Sequence, residues 1–416
     1  MDIQRPRGTI DLVGEAQIKK SKVVETFRKL CDSLSFEEIT TPIFEQKDLY
    51  VRSAGDQSDL VQKELFELEN KSDNTYVLRP ELTAGIVRSL IEEGARGRLL
   101  PIMYYSVGEI FRYDKPQKGR FRQSSQLDME IFGANDPATD VLLINSIAMF
   151  FEKLKLKNKI VFNINTLGSF ETKAIYSKKL VGYLEKNKEY LCPDCQRRMN
   201  KNPLRALDCK QEQCKKIAQN APSIFDSLSE EEKDNFKKII EGLESLQLPF
   251  EIDSTLVRGL DYYTGLIFEV NLTEDRERKM SLGGGGRYDT LIKELGGPEI
   301  SACGYALGIE RIIQFLEFDS SKLGEFKKII LIPTSEKQKL NVLKIQSKLI
   351  KNKNISSFSY LKKSSLSDAL SYASKNGFDF AIISGDDEAI QGKLILKDLK
   401  NNSQVTLPEE EIINSL

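Results

Sequence analysis

The chain of 416 residues contains no histidine and no tryptophan. Without imidazole it can have no histidine general base, no Ser-His-Asp triad, no Cys-His nucleophile pair and no histidine-ligated metal. Its chemistry has to rest on arginine, carboxylates, amides, thiolates or bound metal ions. It also lacks any apolar run near eighteen residues and any signal-like amino terminus, which points to a soluble protein kept in the cytoplasm, away from membranes. An excess of either charge is missing too. With 61 basic and 62 acidic residues the formal net charge is −1, so RNA contact would have to come from local basic patches.

The chain is too long for one compact core, and its length suggests about two or three domains. Hydrophobic residues make up 40% of it, enough for a sizeable interior. Two basic patches stand out: Arg112 to Arg122, with five positive charges and one negative, and Arg197 to Lys216, with seven against two. A charge run by itself is ordinarily a solvated face.

Two stretches carry more specific chemistry. FRYDKPQKGRFRQSSQLDMEIFG, from Phe111 to Gly133, sets Arg112, Lys115, Lys118, Arg120 and Arg122 along a Pro-Gln-Lys-Gly turn between two strand-like segments. Such a loop suits a triphosphate and an RNA end. LVRGLDYYTG, from Leu256 to Gly265, places Arg258 in an apolar, aromatic strand-and-turn. A lone buried cation there is costly unless an anion meets it, and a positioned phosphate would do so.

Periodicity predicts a helix over Glu15–Ser33, a strand in EEITTPIF ended by Pro42, and a helix near Leu60. A strand at Tyr76–Leu78 runs into RPELTAG. There Glu81 and Thr83 sit at an element boundary, where they can face a ligand or, for Glu81, simply complement a helix N-terminus. A long helix over 137–154 and a strand over 160–164 follow. Residues 168–248 read as a helical, Lys/Glu-rich insertion. Strands resume in FEIDSTLV, LIFEVNL and LGGGGRYD, and a final apolar helix begins at ALGIERIIQFL. The run Gly283–Gly286 lacks the following Lys-Ser or Lys-Thr of a P-loop and reads as a strand approached too closely for a Cβ. From 327 onward KKIILIPT, ISSFSY, FDFAIIS and KLILKDL alternate with helices over 336–351 and 365–375, after a hinge near Lys322–Glu325. That order predicts a small doubly wound α/β sheet.

In chain order, the Pro42 segment, the Arg112 loop with Glu130, and the helix start at Gly308–Arg311 resemble the three class II aminoacyl-tRNA synthetase signatures. LVRGLDYYTG resembles a signature of the histidine-specific enzymes. Over essentially its whole length the chain is thus similar to the histidyl-tRNA synthetase family. The resemblance implies an α/β fold with an α+β catalytic core: an antiparallel sheet with helices over 1–167 and 249–320, a helical insertion over 168–248, and an anticodon-binding α/β domain over 327–416. It also implies a homodimer built partly on the Pro42 segment, with ATP, Mg2+, histidine and tRNA(His) as cofactors and partners. In the C-terminal domain Lys362 and Lys363 are candidate RNA contacts.

Carried onto matching positions, the family pattern gives Arg112 to the α-phosphate of ATP and Arg120 and Arg311 to the β- and γ-phosphates. Arg258, bridging α-phosphate and substrate carboxylate, is catalytic together with Arg112. Glu81, Thr83 and Gln126 resemble the residues that hold the amino and carboxylate groups of histidine. Glu130 with Tyr263, and Tyr262 beside them, resemble those that read the imidazole. Gln117 and Arg122 fall where the tRNA acceptor end is met. The chain departs from the pattern at Ser124 and Ser125, where the family commonly carries an aromatic that stacks on adenine and often a histidine. Loss of one stacking face costs on the order of 1–3 kcal/mol, which predicts a weakened grip on ATP. The alternative function is a catalytically silent, regulatory or sensor paralogue. Such paralogues usually lack the Arg258 signature and the anticodon domain.

Cys31 and Cys303 read as small core residues. Cys192, Cys195, Cys209 and Cys214 form C-x2-C, thirteen residues, C-x4-C, close to the spacing of a four-thiolate structural zinc site. The other reading of this stretch, with its NPLRALDCK, is ordinary metal-free insertion sequence.

Overall fold

The structure, a computed structural model, describes residues 3–56, 58–69, 74–115, 119–275, 280–317, 326–351 and 354–416. The chain forms two compact units, Met1–Leu316 and Glu317–Leu416. The hinge expected near Lys322–Glu325 lies outside the described residues, as do Gln117 and Lys118.

The first unit starts with α1 (Glu15–Ser33), whose apolar stripe of Val23, Phe27, Leu30 and Cys31 is fully buried. Next come β1 (Glu37–Glu38), β2 (Phe44–Gln46), α2 (Lys47–Ala54), β3 (Phe66–Leu68), β4 (Tyr76–Leu78) and α3 (Thr83–Glu92). The helix expected near Leu60 is a single π-turn, Leu60–Glu64. β5 (Ile102–Phe111) and β6 (Gln123–Phe132) form a hairpin around the charged loop. α4 (Pro137–Lys153) is capped by Asp136, which accepts from the Ala138 N–H at 2.8 Å, and Pro137 takes the first turn. β7 (Ile160–Thr166) leads into four helices: α5 (Phe170–Lys186), α6 (Pro193–Lys201), α7 (Glu212–Gln219) and α8 (Glu230–Ser245). β8 (Phe250–Ile252), β9 (Thr264–Leu272), β10 (Gly283–Arg287), α9 (Leu291–Glu294), β11 (Ala302–Gly308) and α10 (Ile309–Ile312) complete the unit.

Eight strands form one sheet in the order β1-β5-β6-β11-β10-β9-β7-β8. The central pairs are antiparallel; only the short edge strands β1 and β8 run parallel to their neighbours. The sheet divides two cores. On one face Leu127, Met129, Ile131, Phe268 and Leu307 pack with α1, α4 and α8. On the other, Ile102, Tyr104 and Ile267 share a core with Tyr262, Tyr263, Tyr288 and the cysteine-bearing helices.

Three expectations need correcting. The FEIDSTLV strand shrinks to Phe250–Ile252. Residues 253–263 are turns, so Arg258 lies ahead of a strand, in the loop that enters β9. The final apolar helix is one turn, Ile309–Ile312, because β11 holds the chain extended through Gly308 by pairing with β6 and β10. Local apolar pattern does not foretell that pairing.

The second unit contains β12 (Lys327–Pro333), α11 (Lys339–Leu349), β13 (Ile355–Ser359), α12 (Leu366–Lys375), β14 (Phe380–Ser384), α13 (Asp386–Ile390), β15 (Lys393–Asp398), β16 (Ser403–Pro408) and α14 (Glu409–Ser415). Its sheet order is β13-β12-β14-β15-β16, the first three strands parallel and the last two antiparallel. Alternate residues of β12 face opposite layers. Ile329 and Leu331 meet Val342, Ile345 and Leu349 of α11, whereas Ile330 and Ile332 meet Ala369 and Ala373 of α12. The doubly wound pattern is present, with α13, β16 and α14 added. Lys362 and Lys363 are exposed. No described helix is long and apolar enough to cross a membrane.

Candidate active site

In register, Glu269 of β9 lies beside Gly284 of β10, then Ala306 of β11, then Asp128 of β6. A row further, Gly286 lies beside Gly304, and Gly304 beside Glu130. Because side chains alternate between faces, Gly284, Gly286, Gly304, Ala306 and Gly308 leave one face of the central strands almost bare. Space here is reserved for particular side chains. A Cβ at Gly304 would lie inside the Glu130 carboxylate, and one at Gly284 would fall 2.9 Å from the Arg258 guanidinium.

Glu81, Thr83 and Glu130 gather at one end of this floor, all buried. Thr83, first residue of α3, donates its hydroxyl to Glu130 at 2.7 Å. Glu81 accepts from the Ala84 N–H at 3.1 Å, so in the free protein it does complement the helix start. Tyr288 also donates to Glu130. Tyr263 packs beside Arg258 and Tyr262: the Arg258 guanidinium lies 5.7 Å from its ring and the Tyr262 ring 4.7 Å away. Tyr262 in turn packs edge-on against Tyr288 at 5.6 Å. Burial raises the Glu130 carboxyl to about 8, against the hydrogen bonds from Tyr288 and Thr83. Burial also raises Glu81 and, far more, Asp128, whose neighbours Glu130 and Glu81 add like charge. Both Asp128 oxygens and the Gln126 amide oxygen are buried with no hydrogen-bond partner among the described residues.

The arginines face these acids. Arg258 is not the lone cation its sequence context suggests: Glu269 accepts from it at 2.8 Å. Burial opposes its charge, but Tyr263 and Glu269 outweigh that and hold its pKa up. Arg112 donates to the Pro80 carbonyl at 2.7 Å. Arg120 donates to Asp114 at 3.0 Å and is partly solvated. Arg311, on α10, donates to the Gly119 carbonyl at 3.0 Å and to that of Ser281. Its own pKa is pushed down to about 10, first by burial and then by the charges of Arg120, Arg112 and Arg258. Arg311 thus sits in the combined field of Arg112 and Arg120 from the β5–β6 loop and Arg258 from the loop before β9, a concentration of charge that polyanion binding would relieve. Arg122 lies over the Tyr113 ring at 3.9 Å.

Ser124 and Ser125 point to opposite faces of β6. Ser124 shares its face with Gln126, Asp128 and Glu130. Ser125 faces α1, where it accepts from Lys20 at 2.7 Å and donates to Glu109 at 3.3 Å, while its backbone N–H donates to Glu310 at 2.8 Å.

Sequence reasoning missed Tyr288, Asp128, Glu269 and Gly304. Period-two alternation along Gln126-Leu-Asp-Met-Glu130 was signal enough for Asp128, and Tyr288 ends the GGGGRY run already singled out. Nothing local marks Glu269 or Gly304, whose roles depend on strand pairing.

The four cysteines of the insertion converge. Their sulfurs lie within 4.8 Å of one another. Cys192 and Cys209 Sγ are 3.8 Å apart, and the Cys192 N–H donates to Cys214 Sγ at 3.3 Å. A tetrahedral metal with sulfur bonds near 2.3 Å has sulfur–sulfur edges of about 3.8 Å, so the donor set and its size both fit zinc.

A histidyl-tRNA synthetase family model matches residues 8–312, and an anticodon binding domain model matches residues 328–416. The chain is 38% identical over 418 residues to a histidine–tRNA ligase of Halothermothrix orenii, covering 100% of this chain and 99% of that one. It is 38% identical over 421 residues to one of Listeria monocytogenes, covering 100% and 98%. Among solved structures, apo S. aureus histidyl-tRNA synthetase superposes with a TM-score of 0.79 at 29% identity, over 100% of this chain and 99% of that one. Full-length similarity in sequence and fold, together with the arginine and acid clusters on a bare sheet floor, establishes that the chain belongs to the histidyl-tRNA synthetase family.

Proposed function

We infer that the chain activates histidine with ATP to histidyl-adenylate and transfers the histidyl group to the 3′ end of tRNA(His). The observation that carries this reading is the convergence of two clusters on one glycine-rich sheet face: Arg112, Arg120 and Arg258 around Arg311, and Glu81, Thr83 and Glu130 with three tyrosines, Arg258 lying against Tyr263 between them. In the first step a histidine carboxylate oxygen attacks the α-phosphorus and the bond to pyrophosphate breaks. In the second, a ribose hydroxyl of the tRNA end attacks the acyl carbon and AMP leaves. The nucleophile of the first step is already ionised, so a site without imidazole can perform it by positioning and charge neutralisation.

Arg112 and Arg258 take the α-phosphate, Arg258 reaching the substrate carboxylate as well, while Arg120 and Arg311 take the β- and γ-phosphates. Glu81, Thr83 and Gln126 hold the amino and carboxylate groups. Glu130 reads the imidazole with Tyr263 and Tyr262, and Tyr288 orients Glu130. Arg122 and Gln117 meet the acceptor end. Mg2+ bound with ATP would supply charge neutralisation at the phosphates; among the described residues the cysteines form the one group of three or more potential metal ligands. Residues 168–248 serve as a helical insertion on the catalytic domain (1–167 and 249–320), and 327–416 grips the anticodon stem. The enzyme works as a homodimer through the Pro42 segment, in the cytoplasm. Cys192, Cys195, Cys209 and Cys214 hold a structural Zn2+, which supplies four metal–sulfur cross-links in place of a larger core.

Histidine-dependent ATP–pyrophosphate exchange tests the assignment. Exchange should require histidine and fall by about 100-fold or more in Arg258→Ala, the cost of removing one transition-state donor. A folded protein that shows no exchange at saturating ATP would be the silent paralogue instead.

A further inference from the structure

We propose that the metal-bound cysteine cluster is a positioning device for the Arg258 loop, so that metal occupancy sets the affinity for histidine. This rests on the zinc reading above and goes beyond a purely structural role for the metal. The thirteen residues between Cys195 and Cys209, the remainder of α6 and the turns after it, are closed at both ends by the cluster and make several of the contacts with the catalytic segment. Asn202 donates to the Asp261 carboxylate at 2.6 Å. Arg205 donates to the Arg258 carbonyl at 3.4 Å. Arg198 pairs with Asp59 at 2.7 Å, beside the π-turn at Leu60. From the neighbouring helix α5, Lys173 donates to the carbonyls of Asp261 at 2.6 Å and Tyr263 at 3.1 Å. Residues 253–263 form no strand; β7 holds their start, through Asn165 donating to the Ser254 and Leu256 carbonyls at 3.3 and 3.0 Å, Glu269 holds the Arg258 side chain, and the bonds above with the shared core hold the backbone around Arg258, Asp261 and Tyr263. In that core Cys195, Met199, Leu204 and Cys214 are buried in the same cluster as Val257, Tyr262 and Tyr263. A metal clip that closes a loop removes freedom the loop would otherwise have. Releasing the sulfurs therefore loosens Asn202 and Arg205, and with them the backbone that aims Arg258 and Tyr263.

The test uses the full-length protein in three states: as purified, metal-stripped by chelator, and metal-loaded Asn202→Ala. Readouts are zinc per chain, hydrogen–deuterium exchange over 256–263, and KM for histidine and kcat in pyrophosphate exchange. The expected result is one zinc per chain in the native protein and in Asn202→Ala. Exchange over 256–263 should quicken, and KM for histidine rise about tenfold, on stripping, with a smaller rise in the same direction for Asn202→Ala. Zinc present, but with stripped protein and Asn202→Ala both matching native exchange and KM, overturns the coupling and leaves the metal as a staple of the insertion. Protein that carries no zinc and takes up neither Zn2+ nor Co2+ overturns the metal reading itself.

Discussion

Glu130 is held where a carboxylate is least comfortable, fully buried, with Thr83 and Tyr288 donating to it and Gly304 leaving it room. Burial lifts its pKa from 4.5 to about 8, so the folded, ligand-free protein binds this proton more tightly than the unfolded chain does. Its contribution to stability is therefore complete below about pH 4.5 and is lost progressively as pH rises toward 8. Thermal unfolding of wild type and Glu130→Gln between pH 5 and 9 isolates the effect: wild type should lose stability relative to the variant as pH rises, levelling above about 8. A pH-independent difference would mean that Glu130 is already ionised in the free site. Of these residues, Glu130, Glu81, Thr83 and Arg258 were legible in the sequence because each falls within a recognisable motif. Tyr288 as the donor to Glu130 was not, since their contact joins positions 158 residues apart.

At the scale of elements, β6 shows how one strand serves two purposes. Leu127, Met129 and Ile131 face the core under α1 and α4, whereas Ser124, Gln126, Asp128 and Glu130 face the cleft. The two serines that depart from the family pattern consequently differ in meaning. Ser125 belongs to the α1 side, tied to Lys20 and Glu109. Of the two, only Ser124 is on the cleft face, where the proposed ATP site lies. Ser124→Phe should lower KM for ATP by about tenfold in pyrophosphate exchange and leave KM for histidine unchanged, the return of one stacking face; no change in KM for ATP would show that another group already covers the base. α1, β4 and α4 match the sequence periodicity closely, since a helix or strand packed on one side records its packing in its pattern. The glycine strand β10 and the loop over 253–263 carry no such record. One is shaped by the backbones on either side of it, the other by contacts with β7, Glu269 and the insertion.

At the scale of the whole molecule, the units Met1–Leu316 and Glu317–Leu416 have separate cores. A chain truncated after residue 317 should keep histidine-dependent pyrophosphate exchange within a few-fold of the full protein and lose most tRNA(His) charging, read as histidyl-tRNA formed per adenylate. Equal loss of both activities would show that the second unit is needed for the first to fold or act. The absence of histidine from an enzyme that activates histidine has a consequence at this scale as well: its synthesis does not consume the amino acid it serves. That advantage is specific only if unrelated proteins of the same source contain histidine at ordinary levels. The sequence by itself determined the family, the order of elements, the separate α/β unit and most of the charged residues of the site, because periodicity and short motifs are local and survive in one dimension. The tertiary structure decided which acid Arg258 meets, which tyrosine supports Glu130, which serine shares the face of Gln126, Asp128 and Glu130, and that four cysteine sulfurs come within 4.8 Å of one another. Each of those depends on strand register or on contacts between distant segments, and neither is encoded in any short stretch of the chain.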